Sequence, residues 1–153
     1  MKGQPLIVLP WLPVILWTGL IFWMSTDTFS AQNTSLIIEP LVRFLLPGIS
    51  EQSLALIHGL VRKAAHLTEY FILGLLLFRA FLSTFPESTP LRLALRSLAL
   101  TALVAAGDEF HQSFVATRTA SVFDVGIDTV GGLLAQAVLL LHRPHVRQVR
   151  KDR

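Results

Sequence analysis

The chain has 153 residues, enough for one domain; 52% are hydrophobic, 15% are charged and the formal net charge is +3. Water-soluble domains carry about 25% charged residues, so this chain cannot cover a water-facing surface and must be covered by a bilayer. The basic residues are not interleaved with aromatics on a polar face, which excludes nucleic acid as a partner. The absence of cysteine excludes disulfides, thiolate catalysis and zinc–thiolate sites.

Leu6 to Met24 holds no charge and is long enough to cross a hydrocarbon core of about 30 Å as a helix. Pro10 and Pro13 fall near its start, where missing amide donors matter least. A cleaved signal peptide is not expected: only Lys2 precedes the run, and no small-residue cleavage site follows it. A polar turn from Ser25 to Ser35 leads to a short amphipathic segment, Leu36 to Leu46, closed by Pro47-Gly48. Its Glu39 and Arg43 stand at i,i+4 opposite Leu36, Ile37, Leu41, Phe44 and Leu45, so the segment is expected on the membrane surface or packed against the bundle.

Ser50 reads as an N-cap, with Glu51 in the first turn, for a helix that can run unbroken to about Leu82. Its membrane part is expected at residues 64–82, with His66 and Glu69 near one end. After the Pro86–Pro90 turn a third span is expected over residues 92–112, reaching as far as Phe114, and a fourth over 124–142. Residues 143–153 form a basic tail. The expectation is an all-α membrane protein with four transmembrane helices and a surface helix between the first two. With four spans, nine of the 13 Lys and Arg residues fall on the side of both termini, which makes that side cytoplasmic and the membrane the cytoplasmic one.

The polar residues inside the apolar runs carry the functional argument, because each is costly in lipid unless paired or used. Arg62, His66 and Glu69 share one helix face; Asp108, His111 and Gln112 share a second, with Glu109 offset towards Gln112 and Ser113. Asp124 and Asp128 make a third stripe, continued by Gly131, Gly132 and Ala135, small residues that let helices approach closely. All three stripes fall at the same outer-leaflet level. One reading is catalytic: His66, Glu69, Asp108, Glu109 and His111 supply the nitrogen and oxygen ligands a divalent metal takes, for a hydrolase or transferase acting on a lipid-linked substrate. Their spacing matches no established ligand motif. A second reading is an anionic-headgroup site, in which Arg62, Lys63 and Arg118 hold phosphate while Gln112, Asp124 and Asp128 orient them. Its partners would be membrane lipids or a lipid-linked envelope precursor. A third is structural: acids and bases pair to hold the helices in register, or the surface segment and basic tail serve a passive accessory protein. A transporter is not expected, since no pair of broken helices is present.

At these residues the chain resembles the VanZ-like family of small bacterial membrane proteins. The matching blocks are Arg62–Tyr70, Asp108–Phe114, Arg118 and Asp124–Gly132, with Trp23-Met24-Ser25 at the end of the first span. Two departures stand out: Ala116-Thr117 occupies the place of the family's Pro-Gly, and Asp128 stands where members often carry Asn. The resemblance implies a four-span fold, an envelope role and, through the family's name-giving member, a link to low-level teicoplanin resistance. It supplies no chemical mechanism.

Overall fold

A computed structural model describes residues 8–26, 28, 30–115 and 121–142. A single 3₁₀ turn, Leu9–Trp11, leads into α1, Leu12–Met24; α2 spans Ala31–Leu45, α3 Glu51–Thr84, α4 Pro90–Gln112 and α5 Val122–Leu141. There is no strand among the described residues.

Hydroxyl side chains start four of these helices, each accepting an amide that the first turn would otherwise orphan. Ser50 Oγ accepts from the Ser53 amide at 3.2 Å, as its position before Glu51 led one to expect. Thr89, Ser121 and Ser30 cap α4, α5 and α2 in the same way. The Ser30 cap corrects the sequence reading, which placed a loop as far as Ser35. Helix α2 instead begins at Ala31 and continues through Pro40. The surface of α2 is divided as expected, with Leu36, Ile37, Leu41, Phe44 and Leu45 exposed. Arg43 bonds Glu39 at 2.9 Å and Glu51 of α3 at 2.6 Å. Those two bonds, Glu51 first, raise the Arg43 guanidinium above its ordinary pKa.

Three helices, α3, α4 and α5, are long and apolar enough to cross a membrane. At 1.5 Å per residue α3 is about 51 Å long, well beyond a ~30 Å core, and its first turn meets α2 through the Arg43–Glu51 bond. Helix α1 is shorter than the Leu6–Met24 run suggested. The prolines explain its start: the backbone makes a 3₁₀ turn through Pro10 before regular helix begins beside Pro13.

Helices α3 and α5 form the most extensive interface, and α4 closes on both. The approach depends on three glycines. A Cβ on Gly131 would collide with the carbonyl oxygen of Leu67, and one on Gly132 would meet Thr101 Cγ2 at 2.6 Å. Across the interface, a Cβ on Gly74 would meet Ala135 Cβ at 2.9 Å. Gln136 Nε2 bridges the same seam by donating to the Gly74 carbonyl at 3.1 Å. Around it pack Leu73, Leu77, Ala80 and Ala105 with Ile21 and Val14 of α1.

Helix α1 runs antiparallel to α3, fastened along its length. Trp11 Nε1 donates to Thr84 Oγ1 at one end, Trp17 Nε1 to the Glu69 carbonyl further along, and Ser25 Oγ to Asp108 at the other. Trp11 and Trp17 are thus packing residues that also satisfy their own indole N–H groups.

Candidate functional site

The chain directions bring the end of α1, the middle of α3, the end of α4 and the start of α5 to one end of the bundle. Within that end the polar residues sort into a buried layer and an open layer.

The buried layer is a set of helix-to-helix fasteners. Asp108 is fully buried; its Oδ2 accepts from Ser25 Oγ at 2.7 Å and from Gln112 Nε2 at 2.9 Å. Gln112 Nε2 also reaches Ser25 Oγ at 3.3 Å, closing a triangle between α1 and α4. Glu109 is turned the other way. Its Oε2 accepts the backbone amide of Ser121 at 2.8 Å, so it is bonded at the entry to α5 rather than to Gln112 or Ser113. Tyr70 is fully buried and lies within electrostatic reach of Asp108, Asp128, Glu69 and Glu109. Its hydroxyl, one oxygen each of Asp108, Glu109 and Gln112, and both oxygens of Asp128 are sealed from solvent with no hydrogen-bond partner among the described residues. Buried polar atoms seldom remain so, which marks this layer as the most polar and most demanding part of the interior.

The open layer surrounds His66. Its Nδ1 stands 3.3 Å from Oδ1 of the fully buried Asp128, a Coulombic contact not aligned as a hydrogen bond. The ring lines two cavities, one on either side of α3. The first, about 280 Å³, lies between α3 and α5 and is bounded by Arg62, Lys63, His66, Ser121, Asp124 and Ile127, with Gly59 at its edge. The second, about 230 Å³, lies beneath α2 and the end of α1; Ser25, Thr34, His58, Arg62, His66 and Glu69 line it. His58 is half-buried and meets Thr34 Oγ1 at 3.2 Å. Arg62 and Lys63 form no ion pair among the described residues.

Over this same stretch the sequence pattern that defines the VanZ/LLP1 family matches, covering residues 10–143. The chain belongs to the VanZ/LLP1 family. No curated protein and no solved structure matches it.

His66, Glu69, Asp108, Glu109, Gln112, Asp124, Asp128, Arg62 and Lys63 all reach one end of the bundle. His111 does not join the open layer. Its ring packs on Phe22 of α1, 5.7 Å between centroids, and lines neither cavity. Arg118 lies outside the described residues, as do Ala116-Thr117 and the basic tail. The metal reading finds no fit: among the described residues no three His, Asp or Glu side chains stand close enough to hold one ion.

Four participants were not legible as such. Ser25 falls in the Ser25–Ser35 turn and Tyr70 only at the end of the Arg62–Tyr70 block, while Ser121 and Gln136 carry no reading of their own. For Ser25 the only sequence signal was its place in the Trp23-Met24-Ser25 block.

Proposed function

We propose that this VanZ-family protein is a four-span protein of the cytoplasmic membrane that binds the phosphate of a lipid or cell-wall-precursor headgroup on its outer side. The observation that carries the reading is the first cavity. Two cations that form no ion pair among the described residues, Arg62 and Lys63, border an opening of about 280 Å³ whose other walls include Asp124 and apolar Ile127. A guanidinium binds phosphate through paired N–H donors and an ammonium as a point charge, so together they suit a multiply charged headgroup. Near a membrane surface such a pocket meets its ligand by lateral diffusion.

Helix α1 supplies the fourth span together with the residues before it. Its bonds to Thr84 and Asp108 hold it beside α3 and α4 over most of their shared depth. With four spans the distribution of Lys and Arg sets both termini in the cytoplasm and the cavities outside. Helix α2 then rests on the outer surface, its exposed Leu36, Ile37, Leu41, Phe44 and Leu45 in the headgroup–acyl boundary. The family's link to low-level teicoplanin resistance agrees with an envelope site. The buried layer has a different task in this account: Asp108, Glu109 and Gln112 hold helices, and ligand does not reach them.

Native mass spectrometry of delipidated protein re-exposed to phosphatidylglycerol tests the reading. The wild type is expected to retain the anionic lipid over a neutral diacylglycerol. The double variant Arg62→Gln, Lys63→Gln is expected to lose that preference while remaining monodisperse. Equal retention by both proteins would remove the site.

A further inference from the structure

The first cavity holds more than cations. On α3, Arg62 and Lys63 stand four and three residues before His66, so all three share one helix face. Behind His66 stands Asp128, whose side chain is wholly shielded from solvent while that of His66 keeps 12% of its exposure. Nδ1 is the sealed nitrogen, facing Asp128 Oδ1 at 3.3 Å, so Nε2 is the nitrogen left to the cavities. The negative charge of a carboxylate facing Nδ1 favours the tautomer that carries its proton there and leaves the Nε2 lone pair free. Contacts of this kind are often long before substrate binds and tighten when it does.

Two cations beside an oriented imidazole have a specific chemical use. A phosphoryl group in transfer spreads charge over three oxygens and needs positioning and positive charge more than covalent help. We propose that His66 is a phosphoryl-accepting nucleophile, held by Asp128 as a positioning residue, and that the protein dephosphorylates a long-chain phosphomonoester or diphosphate. This rests on the headgroup reading above and adds chemistry to it.

The step balances with the groups that line the cavity. Nε2 of neutral His66 attacks phosphorus; the P–N bond forms as the P–O bond to the leaving group breaks, and that oxygen departs with the electron pair. Asp124, on the wall of the same cavity, gives it a proton. Water then attacks the phosphohistidine; the P–N bond breaks, phosphate leaves and the water's proton returns to Asp124. The net reaction is ester plus water to alcohol plus phosphate. His66 keeps its Nδ1 proton towards Asp128 throughout. Glu69 lies in the second cavity, and Asp108 and Glu109 of α4 lie in the buried layer, so none of the three takes part.

Purified protein in detergent is incubated with ³²P-labelled phosphatidic acid and undecaprenyl diphosphate, then quenched in alkali, which preserves phosphohistidine. Wild type is expected to carry acid-labile, alkali-stable label and to release phosphate from at least one of the two. His66→Ala should show neither, while remaining monodisperse in detergent. Asp128→Asn should label at least about tenfold more slowly, with kcat reduced, KM kept and the pH–rate profile altered, a pattern that mere loosening of the fold would not give. Because Asp128 is buried, Asp128→Glu serves as the second variant and is expected to recover part of the rate. Lipid retained with no label and no phosphate release from either substrate would overturn the nucleophile and leave the headgroup reading standing. Phosphate release by His66→Ala at the wild-type rate would overturn it equally. Loss of lipid retention in the wild type would remove both.

Discussion

Asp108 forms no ion pair among the described residues and is satisfied by neutral donors instead. It is fully buried, and two side-chain donors from different helices, Ser25 and Gln112, converge on one of its oxygens. Truncating it leaves both donors in an interior without water, and an orphaned buried donor costs about 1–3 kcal/mol. Asp108→Ala is therefore expected to lower thermal stability in detergent by that order, whereas Asp108→Asn, which keeps an acceptor oxygen, should lose less. Equal stability of wild type and Asp108→Ala in a melting experiment would show that the triangle does not hold α1 in place. His66 differs at the same scale. It faces a carboxylate on one side and open cavity on the other. The i,i+3 and i,i+4 spacing of Asp108, His111 and Gln112 was legible in the sequence, but the neighbour each residue meets was not. A helix face is wide enough for Asp108 to meet Ser25 while His111 packs on Phe22. Ser121 escaped notice because it acts through its backbone amide, which no side-chain pattern reports.

At the scale of elements, the small residues of α5 were the most readable feature. Gly131, Gly132 and Ala135 were expected to allow close approach, and they meet Leu67, Thr101 and Gly74 there. The mechanism separates glycines of one helix from each other. A Cβ at Gly131 runs into backbone, which cannot swing aside, whereas nothing lies within 4 Å of a Cβ at Gly126. Gly131→Ala is expected to cost about 1–3 kcal/mol by overpacking. Gly126→Ala should be neutral or stabilising by up to about 1 kcal/mol, the gain in helix propensity. Chemical denaturation of the two variants in mixed micelles checks the pair, and a Gly131→Ala protein as stable as Gly126→Ala would contradict the close packing. The start of α3 was legible from the hydroxyl of Ser50, whereas the caps Thr89 and Ser121 were not singled out. At α2 a polar first turn hid the start, because Gln32, Asn33 and Thr34 read as loop by composition while Ser30 caps them into helix. Within the apolar run regular helix begins only at Leu12, because the backbone makes a 3₁₀ turn through Pro10.

For the whole molecule, composition alone assigned the chain to the membrane, and the three long apolar helices agree with it. Orientation makes a direct prediction. The chain has no cysteine, so a single introduced thiol reports on its own. Ser53→Cys, at the start of α3, should react in intact cells with a membrane-impermeant maleimide, and Glu87→Cys, between α3 and α4, only after lysis. The reverse pattern would put the cavities in the cytoplasm and end the envelope reading. The account as a whole depends on phosphate entering the cavity beside His66. The measurement that tests this most directly is solid-state NMR dipolar recoupling between lipid ³¹P and side-chain ¹⁵N in histidine-labelled protein, reconstituted with phosphatidylglycerol and compared with His66→Gln. A recoupled imidazole signal that disappears in His66→Gln is the predicted result; an imidazole signal unaffected by ³¹P in the wild type would contradict the account.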